Sequence, residues 1–233
     1  DNAIPRACRA VVAVKPAEKE AFTEIFRTQC AARRSSFSAA DADAEFKLRE
    51  IEPCADPMCQ KSSDALLAAI TSVPNGVLRR THGTEKSQLE TSANLGIVRT
   101  ERDTALLTVS VRSSVDARRG DVTAVLQMLA TALGASLTLR GEYPGWPSRE
   151  HSQSRERYTA AYRALWGKEP RIEAIHAGLE CGVIQHKMPG IDPISIGPDM
   201  QHVHTPAERV NGASVGRVYE TLIKMLAIKD ETK

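Results

Sequence analysis

In the first half of the chain, apolar positions switch between a period near two and a period near 3.6. A β-branched run at residues 10–14 predicts a strand, and residues 16–35 then set Ala21, Phe22, Ile25 and Phe26 near helical spacing. Residues 45–51 alternate Phe46, Leu48 and Ile51 imperfectly against Lys47, Arg49 and Glu50, as a half-buried strand would. Residues 63–73 follow with Leu66, Leu67 and Ile70 on one helical face. Pro74-Asn75-Gly76 reads as a turn, because Pro fixes φ and Asn-Gly tolerates positive φ. Residues 77–81, 89–100 and 105–113 are three further extended segments. The last two are joined by the polar stretch Glu101-Arg102-Asp103-Thr104, as in an antiparallel hairpin. This half is expected to pack strands and helices on one mixed or antiparallel sheet.

The pattern changes near Asp116. Val122, Val125, Leu126, Leu129 and Leu133 recur at helical spacing, and Gly134 suits the end of that helix. A strand at 136–139 is followed by Tyr143-Pro144-Gly145-Trp146-Pro147-Ser148, where two prolines and a glycine break regular structure. Residues 155–167 read as a helix, 172–176 as a strand, 178–186 as a short helix or turn, 194–196 as a strand and 214–228 as a closing amphipathic helix. Alternation of strand and helix is the pattern of an α/β sheet, so the expected fold class is α/β.

Composition narrows the function classes. The 233 residues carry 31 Lys+Arg against 29 Asp+Glu, too even a balance to predict binding to a phosphate backbone or a membrane surface. At 4% aromatic residues, the chain is also poor in stacking platforms for single strands. No run approaches the roughly 18 apolar residues of a spanning helix. Neither a nucleic-acid nor a membrane partner is expected. Five scattered cysteines (Cys8, Cys30, Cys54, Cys59, Cys181) favour free thiols and a cytoplasmic location, although Cys54-x4-Cys59 also suits half a metal site or a short-loop disulfide. Asp1–Arg6 shows no initiator Met and no leader pattern, which predicts that the chain starts inside a longer protein.

The densest chemistry lies in Ile175-His176-Ala177-Gly178-Leu179-Glu180-Cys181-Gly182, Ser195-Ile196-Gly197-Pro198 and His202-Val203-His204-Thr205-Pro206-Ala207-Glu208-Arg209. Loops beyond the carboxyl ends of strands are where ligands collect in α/β sheets. A neutral imidazole is a good zinc ligand, but His202 and His204, two apart, project to the same side if extended, so spacing does not choose between them. Either also fits a surface or capping role. Arg112 ends the apolar strand that begins near Leu106. Its guanidinium suits a two-pronged grip on a carboxylate, and equally a surface ion pair.

Taken with Asn2-Ala3-Ile4-Pro5-Arg6, Pro74-Asn75-Gly76-Val77, Glu90-Thr91-Ser92-Ala93-Asn94-Leu95-Gly96 and Val111-Arg112-Ser113-Ser114, these motifs resemble the aminoacyl-histidine dipeptidases. That is the Xaa-His, bacterial carnosinase-like branch of the co-catalytic zinc metallopeptidases. The likeness runs in order along nearly the whole chain, and the Gly-Leu-Glu-Cys-Gly loop favours this branch over the acylase and carboxypeptidase relatives.

The resemblance implies a ferredoxin-like α/β lid, lacking its start and covering residues 1–115, and the carboxy-terminal part of an α/β zinc-peptidase catalytic domain over 116–233. It implies hydrolysis of a dipeptide by a water shared between two zinc ions, with Mn or Co equally suited to one His and carboxylates. It also implies a homodimer formed through the lid. His204 matches the family's carboxy-terminal metal ligand. Arg112 matches a lid arginine that clamps the dipeptide carboxylate, and Asn2 a lid asparagine near the substrate. Gly178 and Glu180 match the loop lining the pocket, while His176, His186 and His202 take no assigned role. The family's His-x-Asp motif, bridging Asp, Glu-Glu pair with the general base and further acidic ligand have no match here, so no catalytic residue is expected in this chain and it is expected to be inactive alone. Thr205 stands where Ser is common and Ala207 where an acid is common. The alternative is a non-catalytic self-association module derived from a peptidase.

Overall fold

The computed structural model describes residues 4–52, 56–81, 88–173, 179–203 and 205–228. The chain divides into two compact units, one of Pro5–Ala68 and one from Ala69 onward. The first holds α1 (Lys19–Arg34), entered through a short 3-10 turn at Pro16–Glu18, and most of α2 (Gln60–Ser72). A proline in the first turn starts the helix without cost, because that N–H would have no partner anyway. Phe37 and Phe46 stack with centroids 5.9 Å apart, and the Arg34 guanidinium lies over the Phe46 ring. None of the described side chains of this unit is buried.

The second unit opens with an antiparallel sheet in the order β1 (Gly76–Arg80), β2 (Leu89–Glu101), β3 (Thr104–Ser113). In place of the turn expected at Pro74-Asn75-Gly76 the chain only bends at Val73, and Gly76 already opens β1 at φ +89, with Asn75 Oδ1 accepting the Leu95 amide across the sheet at 2.8 Å. The β2–β3 hairpin turns through Arg102 and Asp103, with Arg102 at φ +44. Thr91 pairs with Ser113 and their hydroxyls meet at 3.0 Å in a buried contact. The next pair, Ser92 and Arg112, therefore faces the other side of the pleat.

α3 (Asp116–Leu133) buries Val122 and Leu126 and ends at Gly134 in the left-handed conformation. α4 (Gln153–Trp166) and α6 (Gly212–Leu226) pack on each other, α4 burying Ala161 and α6 burying Thr221, each at most 1% exposed. The Trp166 indole donates to Thr221 Oγ1 at 3.0 Å, and that hydroxyl donates to the Arg217 carbonyl at 2.7 Å. Small residues let the helices approach, and the hydroxyl satisfies the part-buried indole N–H. Between α4 and α6 come the short α5 (Glu180–Lys187) and a two-stranded hairpin of β4 (Met200–Gln201) and β5 (Arg209–Val210).

The helices expected from periodicity all form. Four expected strands do not: among the described residues, 10–14, 45–51, 136–139 and 194–196 have no ladder. The same holds for 172–173, the described part of the segment expected at 172–176. Periodicity reports a tendency to lie half-buried, but a strand also needs a neighbour to take its backbone hydrogen bonds.

The start of α4 carries a checkable pH dependence. Ser152 accepts the Arg155 amide as N-cap, and Asp192 Oδ2 accepts both the Ser152 hydroxyl and the Ser154 amide at 2.9 Å. Burial alone would raise the Asp192 pKa. The Ser154 and Ser152 hydrogen bonds, with Arg149 3.7 Å away, outweigh it and hold the carboxyl below its usual range. A depressed carboxyl stabilises the fold above the unfolded-state value of about 4 and loses that contribution as pH falls through the lower folded value. Asp192→Ala is expected to cost about 1–2 kcal/mol at neutral pH, with a deficit that shrinks in acid. Thermal melts of both proteins across the acid range check it.

Candidate active site

Three elements carry the residues singled out in the sequence. Arg112 occupies the penultimate position of β3, half-buried, on the face it shares with Ser92. Glu180 is the first residue of α5 and is exposed, whereas Gly182, one turn into the same helix, is buried. The third element is the β4–β5 hairpin. Asn2, Gly178, His204 and also His176 lie outside the described residues.

The loop between β4 and β5 is a short polar turn on a fixed base. His202 opens it at φ +53, a backbone region few residues other than Gly adopt. Its carbonyl accepts both the Thr205 amide at 3.1 Å and the Thr205 hydroxyl at 2.7 Å. That hydroxyl also accepts the Ala207 amide, and Thr205 O accepts the Glu208 amide. A serine at this position would offer the same hydroxyl, so the departure at Thr205 leaves the loop's hydrogen bonds intact. Below the loop, Asp199 and Asn211 bond through their backbones at 2.9 Å, Arg217 pairs with Asp199 at 2.8 Å, and Ser214 Oγ accepts the Asp199 amide. The hairpin thus stands on the start of α6. Periodicity missed it because two-residue strands are too short to show a period.

Arg112 and Glu180 share a frame built around the loop at Tyr143–Trp146. Asp116, at the start of α3, accepts the Gly145 amide at 2.8 Å and pairs with Arg119 at 3.1 Å, and Arg119 also donates to the Tyr143 carbonyl. One side of this loop lies against Ser114, two residues beyond Arg112, and the other against Gly182, two beyond Glu180. In sequence this stretch reads only as a break between the expected strand at 136–139 and the following helix. The missed signal was the glycine inside Pro-Gly-Trp-Pro.

Cys181 sits beside Glu180 and is no ready nucleophile. Burial pushes its thiol up and the Glu180 carboxylate adds to this, so it stays protonated at neutral pH. Cys8, Cys30, Cys59 and Cys181 are free thiols, and Cys54 lies outside the described residues. Among the described residues, no three His, Cys, Asp or Glu side chains converge to hold a metal ion. None of the described helices is long and apolar enough to cross a membrane.

A sheet, a helical pair and these loops make a mixed α/β arrangement, and comparison with known proteins relates it to an α/β peptidase. No family model matches the chain. It is 30% identical over 225 residues to the cytosol non-specific dipeptidase of Escherichia coli K12, covering 97% of this chain and 46% of that protein. Its fold matches the crystal structure of aminoacylhistidine dipeptidase from Vibrio alginolyticus with a TM-score of 0.82 and 28% identity, over 93% of this chain and 44% of that one. The chain is therefore homologous to dipeptidases, which are hydrolases, and spans about half the length of the relatives it matches.

Proposed function

We propose that this chain supplies substrate-positioning residues and one metal-binding imidazole to a metal-dependent dipeptidase acting on Xaa-His and related dipeptides. The observation that carries the reading is collinearity. Homology to dipeptidases runs along almost the whole chain, through both the sheet that presents Arg112 and the hairpin around position 204. In this reading residues 1–115 are the lid, through which two copies associate, and 116–233 complete the catalytic domain. The compartment follows the relative named for the cytosol. Arg112 grips the free carboxylate of the dipeptide, Asn2 orients the substrate from the lid, and Gly178 and Glu180 line the pocket. His204 is the imidazole offered to zinc. The described residues do not by themselves make a metal site, so no chemical step is assigned to this chain. Its part is to bind and orient.

One apolar face of the chain's own surface supports a partner surface in this reading. On α6, Val215, Tyr219, Ile223 and Leu226 repeat at helical spacing and are 47–71% exposed. Such a stripe would also serve self-association, which keeps the non-catalytic module as the second reading. Metal-dependent hydrolysis by the assembled protein, meaning this chain with the part of the dipeptidase fold it does not span, separates the two.

Arg112→Lys in that assembled protein tests the carboxylate grip. A lysine cannot reproduce the paired hydrogen bonds, so kcat/KM for dipeptides with a free carboxylate is expected to fall about 10- to 100-fold. Amidated dipeptides should lose little. Steady-state kinetics on both substrate classes check this, and equal losses on the two would remove the assignment.

A further inference from the structure

We propose that Gly145 and Gly182 are positioning residues for the dipeptide pocket: their missing side chains let the Tyr143–Trp146 loop lock the end of β3 to the first turn of α5. This rests on the proposed function, since the elements it joins carry Arg112 and Glu180. A Cβ on Gly145 would lie 2.5 Å from the Ser114 carbonyl oxygen and 2.8 Å from its carbon. One on Gly182 would lie 2.8 Å from the Pro144 oxygen and 3.2 Å from that of Gly145. Carbon atoms do not approach backbone this closely, so any side chain at either position drives two backbone segments apart.

Space demands glycine here rather than backbone conformation, because neither residue lies at positive φ. The layers are also tied on the far side of the loop. Asp116 and Arg119 hold the Gly145 amide and the Tyr143 carbonyl. The strand end is fixed in turn: the Ser114 amide donates to the Glu90 carbonyl at 3.1 Å and the Val115 amide to the Ser113 hydroxyl at 3.1 Å. A continuous backbone path therefore runs from Arg112 through Ser114, Gly145 and Gly182 to Glu180. A wedge at either glycine shifts the helix relative to the strand, and with it the spacing between two substrate contacts that move no proton. The defect belongs in substrate binding.

The test compares Gly182→Ala, Gly145→Ala, Asp116→Ala and Arg112→Lys in the assembled dipeptidase, using a free-carboxylate dipeptide. Asp116→Ala removes the tie at an exposed position without adding a clash, so it carries the test if the alanine wedges do not fold. Each glycine variant is expected to raise KM about tenfold or more with kcat within about threefold, and Asp116→Ala to raise KM about threefold, as a sub-ångström to ångström misplacement would. Folded variants with unchanged KM, or with a loss confined to kcat, overturn the proposal. If Arg112→Lys raises KM and the glycine and Asp116 variants do not, the carboxylate grip stands and the lock falls. If the glycine and Asp116 variants raise KM and Arg112→Lys does not, the lock stands and the grip falls.

Discussion

Replacing His204 with Ala in the assembled dipeptidase is expected to remove one zinc equivalent per active site and to lower kcat/KM about a thousandfold or more, while leaving the oligomeric state unchanged. A ligand substitution acts on the cation directly, and a catalytic cation contributes several kcal/mol of transition-state stabilisation, so the loss should exceed that of any positioning residue. The neighbouring imidazole supplies the control. His202 serves the loop through its carbonyl, which takes two hydrogen bonds from Thr205, and through its left-handed backbone at φ +53, which Asn tolerates well. His202→Asn should therefore keep full metal content and most activity. Elemental analysis of both variants decides: two zinc equivalents retained in His204→Ala, or one lost in His202→Asn, would reverse the assignment.

The second large effect concerns the chain by itself. Purified free of any full-length dipeptidase, it is expected to show no metal-dependent hydrolysis of Xaa-His dipeptides and at most weak binding of a single zinc ion. The resemblance to the dipeptidases implies a general base and further metal ligands for which this sequence has no match. The apolar stripe on α6 is an exposed face that the proposed reading would cover with the rest of the dipeptidase fold. Turnover assays on the isolated chain, at concentrations where the assembled protein hydrolyses substrate readily, check the prediction. Turnover that is abolished by chelation and restored by zinc would refute it.

How much of this could be read in advance depended on the range of the forces involved. Helices are local, so the period of Val122, Val125, Leu126 and Leu129 sufficed to place α3, and Gly134 and Gly167 end α3 and α4 in the left-handed conformation expected of terminal glycines. The β2–β3 hairpin was legible for the same reason, its partners being joined by a two-residue turn. Strands at 136–139 and 194–196 were not decidable from period alone, because pairing depends on a neighbour that may lie anywhere in the chain. In the candidate site, Arg112, Glu180 and His204 stood out through motif chemistry. Gly145, Gly182 and Asp116 did not, since what matters at these positions is a close approach between segments about 30 to 40 residues apart, which leaves no periodic trace. Thr205 is the intermediate case: its departure from the family pattern was visible, but only the loop's hydrogen bonds show that the hydroxyl is what the position uses.

Whether these elements serve a metal-dependent dipeptidase is decided by the release of free histidine from alanyl-histidine by the assembled protein, before chelation, after chelation and after zinc is restored. Hydrolysis, its loss with the metal and its recovery are expected. Hydrolysis that continues undiminished in protein shown to be metal-free, or none at full zinc occupancy, would contradict that role.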